Sequence, residues 1–194
     1  MVGQTKIGEL LDVAGPVGLL ALHGGGIEPG TEAIARFVAR ETGASLYVYA
    51  GRLPRGNLRL HRPSHRNPDL RPLLQGFLDR VRVAISIHGH GRSPECVYLG
   101  GLNEALIHRL AQLARAALPY YDWVSEPSAI PPELRGRHPR NTVNLPPDKG
   151  VQLEIPRSLR QIYHGAEPTG HAVVLSRVLC KLVNEAMTAR LRWS

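Results

Sequence analysis

Short, continuous apolar runs alternate along this chain with stretches of helical periodicity. Residues 17–22 (Val-Gly-Leu-Leu-Ala-Leu) and 83–87 (Val-Ala-Ile-Ser-Ile) have the length and uniform hydrophobicity of strands buried on both faces. Residues 46–50, 96–99, 121–124 and 151–155 read as further strands. From Pro29, Ile34, Phe37 and Val38 recur at helical spacing until Gly43 ends the helix. Asn103 caps a second helix to about residue 118, with Ala105, Leu106, Leu110 and Leu113 on one side. Thr169 opens a last amphipathic helix through Val173, Val174, Val178, Leu179, Leu182 and Val183, and a further helix is expected over 68–80. Residues 51–67 and 126–149 lack periodicity, and the second holds six of the sixteen prolines. Strands separated by helices predict an α/β layer structure with a mostly parallel sheet, formed as one domain over 1–194 without internal repeat.

Composition narrows the class. Of 194 residues, 43% are hydrophobic and 21% charged, which excludes a disordered or collagen-like chain. No stretch reaches the ~20 apolar residues that cross a bilayer, so no membrane partner is expected. Residues 1–11 mix Gln4, Lys6 and Glu9 with apolar positions and do not read as a signal peptide. Cys96 and Cys180 are too few for a disulfide framework and lack metal-site spacing. A cytoplasmic protein is the expectation.

Three strand ends carry residues that apolar runs do not explain: His23 after the first, His88 after 83–87, and Glu154 inside the last. In α/β sheets functional groups gather at such ends. The segment His23-Gly-Gly-Gly-Ile-Glu28-Pro-Gly-Thr31 lacks the Lys-Ser/Thr of a P-loop, and no Gly-x-Ser-x-Gly elbow accompanies it to make a hydrolase oxyanion turn. It does fit a metal site. A permissive glycine loop lets the imidazole of His23 and the carboxylate of Glu28 converge, and zinc takes these ligand types with a third from a neighbouring strand end. His88 and His90 are the candidates for that third ligand, and His88 follows its apolar run as His23 does. Glu154 is a candidate general base, because a charge on a buried strand costs several kcal/mol unless compensated. An edge strand with Gln152 and Glu154 facing solvent is the other reading of the same spacing.

The same segments resemble a known family. His23-Gly-Gly-Gly-Ile-Glu28-Pro-Gly-Thr31, then Ser86-Ile87-His88-Gly89, then Gly150-Val151-Gln152-Leu153-Glu154 with Arg157 and Arg160 following, resemble the phage-type poly-γ-glutamate hydrolases, whose bacterial relatives are often labelled phage-related. The resemblance runs from about residue 17 to 163. It implies a zinc carboxypeptidase-like fold, a three-layer sandwich with a central mixed sheet between helices. It also implies His23, Glu28 and His88 as Zn2+ ligands, Glu154 as the catalytic general base, and cleavage of γ-glutamyl amide bonds. Carboxypeptidases fix a substrate carboxylate with an Asn-Arg pair, for which Arg140 and Asn141 are the candidates here. The stretch Leu60-His61-Arg62-Pro63-Ser64-His65 is similar to a family loop, with no role given to His61 or His65.

Charge bears on the partner. The formal net charge is +8, and only three of the 24 cations are lysines. GC-rich coding is one reading of that excess; recognition of a polyanion is the functional reading, since guanidinium pairs with carboxylate or phosphate in bidentate fashion. Six arginines fall within 52–71, and Arg135, Arg137, His138 and Arg140 form a second cluster. Residues 52–71 hold no Phe, Tyr or Trp to stack a base. An acidic peptide is thus the expected substrate, bound by arginines among which Arg157 and Arg160 lie nearest to Glu154. Amide hydrolysis of a small metabolite and non-catalytic nucleic-acid binding through the basic loops remain the alternative readings, and oligomeric state is open.

Overall fold

The computed structural model describes residues 6–66, 71–92, 96–160, 162–163 and 167–188. A seven-stranded sheet forms from β1 (Ile7–Asp12), β2 (Val17–Gly25), β3 (Ser45–Gly51), β4 (Val83–His90), β5 (Cys96–Gly101), β6 (Asp122–Val124) and β7 (Gly150–Pro156), in the order β1-β3-β2-β4-β7-β5-β6. Four of the six pairings are parallel; β1 on β3 and β5 on β7 are antiparallel. The mixed, mostly parallel sheet expected from the alternation is therefore present. A two-stranded hairpin, β8 (Ile162–Tyr163) with β9 (Glu167–Pro168), lies apart from it.

Within the apolar runs, side chains still alternate between faces. Leu19, Ala21, Leu46, Val48, Ile85 and Ile87 pack with α1 (Thr31–Thr42), α3 (Glu104–Ala117) and α4 (His171–Met187). Leu20, Leu22, Tyr47, Tyr49 and Ala84 pack on the other face with Leu74 and Phe77 of α2 (Pro72–Leu78) and with Val143 of the long irregular segment. Helices on both faces complete a three-layer sandwich. Uniform hydrophobicity follows directly: both sides of each central strand are covered.

Two features depart from the sequence reading. Strand β1 was not expected. Its pattern Ile-Gly-Glu-Leu-Leu-Asp is only half-buried, as suits an edge strand with one neighbour. The helix expected over 68–80 is shorter, Pro72–Leu78, and its expected first turn at 68–70 lies outside the described residues. Strand β7 is interior, between β4 and β5, which removes the solvent-facing reading of Gln152 and Glu154. Both side chains are buried, at 3% and 5% exposure.

Candidate metal centre and its general base

The register of the sheet brings the candidate residues together. In the β4–β7 pairing His88 lies opposite Glu154 and Ser86 opposite Gln152. Along β4, even-numbered residues face α2 and the irregular segment, which directs Ser86 and His88 to that side; Gln152 and Glu154 share one face of β7 by the same period of two. His23 would face the opposite layer if β2 were regular. Between Ala21↔Val48 and Gly24↔Ala50, however, three steps on β2 match two on β3. This bulge turns His23 toward His88, a use to which β-bulges are often put.

Three donor side chains converge there. His23 Nδ1 lies 2.8 Å from Glu28 Oε1 and 3.0 Å from His88 Nδ1, and His88 Nδ1 lies 3.7 Å from Glu28 Oε2. Tetrahedral zinc with bonds of ~2.0–2.1 Å spaces neighbouring ligand atoms by about 3.3 Å, within the range of these separations. The outer hydrogen bonds favour the same use. His23 Nε2 is 2.8 Å from the Arg62 carbonyl, which can only accept, so this nitrogen is assigned the proton and Nδ1 the lone pair. That lone pair then meets a carboxylate oxygen at 2.8 Å, a contact that calls for a proton or a cation. His88 Nε2 is held by the hydroxyls of Ser86 at 2.9 Å and Ser64 at 3.5 Å, leaving Nδ1 for the site. The Gly89 amide donates to Glu28 Oε2 at 2.8 Å. The donor set fits a zinc ion.

Electrostatics divides the two carboxylates. Burial alone would raise the Glu28 carboxyl, but hydrogen bonds and charge from His23 and His88 outweigh it and hold it well below the ordinary range. Burial, followed by the negative charge of Glu28, pushes Glu154 well above its ordinary value; the Gln152 amide and Arg160 only partly offset this. Gln152 Nε2 donates to Glu154 Oε1 at 2.9 Å, and Asn141 Nδ2 donates to Gln152 Oε1 at 2.9 Å. Asn141 Oδ1 in turn accepts from the Val143 amide at 3.3 Å, so each amide in the relay is oriented by the one before it.

The remaining candidates separate by position. A cavity of about 630 Å3 contains His23, Glu28, His88, Gln152, Glu154 and Asn141, and six of the nine histidines line it. His61 stacks on His23 with ring centroids 3.9 Å apart, its Nε2 3.8 Å from Glu28 Oε1, and with His23 and Glu28 it forms a group able to hold a metal ion. Burial is the largest cause lowering the pKa values of His61 and His88. His65 faces His138 across the rim at 5.3 Å. His90 is turned to backbone, with Nε2 bonding the Cys96 carbonyl and Nδ1 accepting from Arg92, so it does not compete with His88 as a ligand. Among the arginines, Arg137 lines the cavity, while Arg157, Arg160 and Arg140 do not. Arg157 and Arg140 are exposed, and Arg160 is buried behind the strand ends. Arg52 is bound to Glu32 at 2.6 Å and Arg71 to Glu9 at 3.3 Å, so part of the basic loop serves the fold. Sequence reasoning missed Gln152, Ser86 and Ser64 as partners of the site; Gln152 and Ser86, polar residues inside buried strands, were the readable signal.

Comparison with known proteins places this arrangement. A bacteriophage poly-gamma-glutamate hydrolase structure superposes with a TM-score of 0.82 at 25% identity, covering 96% of this chain and 91% of that one. Zinc-free YndL superposes at 0.81 with 23% identity, covering 93% and 91%. A carboxypeptidase A homologue from Shewanella denitrificans shares the fold at 0.52 and 12% identity, over 94% of this chain and 60% of its own. The fold is thus that of a carboxypeptidase-like hydrolase. Residues 9–183 match the sequence profile of the poly-gamma-glutamate hydrolase family, and the chain belongs to that family. Of the curated relatives, prophage-derived YoqZ of Bacillus subtilis is 32% identical over 152 residues, 77% of this chain. The chain spans about half the length of YoqZ (52%) and a third of Bacillus subtilis YndL (34%), the latter at 34% identity over 46% of this chain. Among the described residues no helix is long and apolar enough to cross a membrane.

Proposed function

We propose that this protein is a zinc-dependent hydrolase of γ-glutamyl amide bonds in poly-γ-glutamate or a related acidic peptide. The observation that carries the reading is two imidazole Nδ1 atoms and one carboxylate held at 2.8–3.7 Å from one another, in the cavity that also holds a second glutamate. Zinc held by His23, Glu28 and His88 would supply Lewis acidity toward the scissile carbonyl and an acidified water. Glu154 is the base. Burial and the charge of Glu28 raise its pKa, which strengthens it as a proton acceptor. Gln152 holds Oε1, leaving Oε2 to accept a proton from the attacking water and return it to the leaving amine. Arg137 on the cavity wall is ion-paired to Glu104, and its remaining N–H groups, with His138 and His65, are the groups placed to meet a substrate carboxylate.

The test pairs elemental analysis with a size assay on poly-γ-glutamate. Glu154→Gln should retain zinc and lose hydrolysis by ~10²-fold or more; full activity would remove Glu154 from the mechanism. His23→Ala should lose zinc, and an unchanged metal content would refute the ligand set. Zinc without depolymerisation would shift the substrate to a small acidic amide. Metal-independent, steeply salt-sensitive binding of nucleic acid would replace the enzyme reading altogether.

A further inference from the structure

One guanidinium is anchored on three strand or loop ends of the site. Arg160 donates through one terminal nitrogen to the Pro29 carbonyl at 2.6 Å, through Nε to the Ile155 carbonyl at 3.3 Å, and through the other terminal nitrogen to the His90 carbonyl at 3.5 Å. Pro29 follows Glu28, Ile155 follows Glu154, and His90 lies two residues beyond His88. Each acceptor is therefore within two residues of a different group of the site. The side chain is 9% exposed and does not line the cavity.

The surroundings are shaped to receive it. A Cβ on Gly89 would lie 2.5 Å from Arg160 Nε and 2.6 Å from its Cζ, so the guanidinium rests directly against that glycine. The Gly89 amide is also the donor to Glu28 Oε2, which couples the arginine to the carboxylate through one residue. Gly30, at φ 98°, would bring a Cβ within 1.9 Å of the Arg160 carbonyl oxygen, so the turn after Glu28 closes against Arg160 from the other side. Where β4 and β7 end, carbonyls leave the sheet ladder, and buried carbonyls need donors. A planar fork with five N–H groups can meet three of them in different directions; a single ammonium cannot reproduce that geometry.

We propose that Arg160 is a positioning residue: it fixes the spacing between Glu28, His88 and Glu154 by tying together the backbone segments that carry them, and it does not bind substrate carboxylates. Its geometry stands on hydrogen bonds alone, while its consequence for catalysis rests on the metal-hydrolase reading above. That reading expects metal affinity and turnover to depend on Arg160, with the Michaelis constant for substrate left in place.

The experiment compares wild type with Arg160→Lys in three measurements. Amide hydrogen exchange at Gly89, followed without metal, should accelerate at least tenfold in Arg160→Lys while amides in the middle of α3 keep their protection. Zinc affinity, measured by chelator competition, should fall ~10–100-fold, the usual effect of losing a group that orients metal ligands. Turnover should fall by a similar factor with KM unchanged. Unaltered exchange at Gly89 would overturn the proposal. So would a raised KM with wild-type zinc affinity and kcat, the signature of a substrate-binding arginine. Should Arg160→Lys fail to fold, Gly89→Ala displaces the same guanidinium with the arginine retained, and normal zinc affinity there would also overturn it. Absence of zinc binding by the wild-type protein, together with Arg160-dependent exchange at Gly89, would refute the metal reading and leave the positioning role of Arg160 standing.

Discussion

Glu28 and Glu154 are the same residue type, buried to 9% and 5% exposure in one cavity, and their surroundings drive them in opposite directions. Glu28 sits in the turn after β2, where two imidazoles and a backbone amide face it; these outweigh burial and keep it ionised. Glu154 lies within an interior strand, accepts from the Gln152 amide, and carries both its own burial and the repulsion of Glu28, so its pKa is raised well above the ordinary value. A carboxylate fixed as an anion suits a cation ligand, and a carboxyl that exchanges its proton suits a base. The difference between turn and strand underlies the different roles proposed for them.

The largest effect expected from breaking this contrast is on metal binding. Glu28→Gln should lower zinc affinity by ~10²-fold or more and abolish hydrolysis, whereas Glu154→Gln leaves zinc affinity within a few-fold of wild type; chelator competition on both variants decides it. Zinc at a hundredfold excess over its Kd should then stabilise wild type and Glu154→Gln alike by about 2.7 kcal/mol, as any native-state ligand would. Glu28→Gln should show little of that rise in thermal melts at the same zinc concentration.

A subtler contrast concerns pH in metal-free protein. Glu28 has a depressed folded pKa, so its stabilisation is present above the unfolded glutamate value of about 4.3 and is lost as pH falls through the folded value. Glu154 has a raised folded pKa, so stability is full below about 4.3 and is lost as pH rises through the folded value. Chemical denaturation without metal should therefore find Glu154→Gln more stable than wild type at pH 8, with the gap closing toward pH 4. Glu28→Gln should be less stable than wild type at pH 7, with its gap closing as pH falls below 4. Gaps of the same sign would mean that the two carboxyls are not differentiated by their surroundings.

Much of the site was legible because its residues interrupt otherwise apolar strands. His23 and His88 end such runs and Glu154 sits inside one, so burial had to be compensated by something specific. The sheet was legible for a related reason: five of its seven strands are buried runs, while half-buried edge strand β1, with Gly8 and Glu9 in its middle, gave no such run. The bulge that turns His23 was not readable, because it is a property of pairing between β2 and β3 rather than of either segment. Arg160 exposes a second limit. Sequence offers its charge and its nearness to Glu154, which together suggested a carboxylate partner. Which carbonyls are left bare at strand ends depends on three segments meeting in space, and there the guanidinium finds its acceptors.

Asn141 gives the smallest expected effect and the finest discrimination. Its adjacency to Arg140 suggested a pair for a substrate carboxylate, yet its side chain donates to Gln152 and accepts from the Val143 amide, and Arg140 is exposed outside the cavity. Acting through Gln152, it would orient the amide that holds Glu154 and would touch turnover more than binding. Gln152→Met removes the donor that lowers the Glu154 pKa, so the acid limb of kcat/KM should move to higher pH and kcat at neutral pH should fall roughly tenfold. Asn141→Ala leaves Gln152 present but free to turn, and the same changes should appear at a few-fold, with KM unaltered. In the double variant the Asn141 effect should vanish, because Gln152 is its route to the base. A KM that rises in Asn141→Ala with an unshifted pH profile would instead restore Asn141 to the substrate.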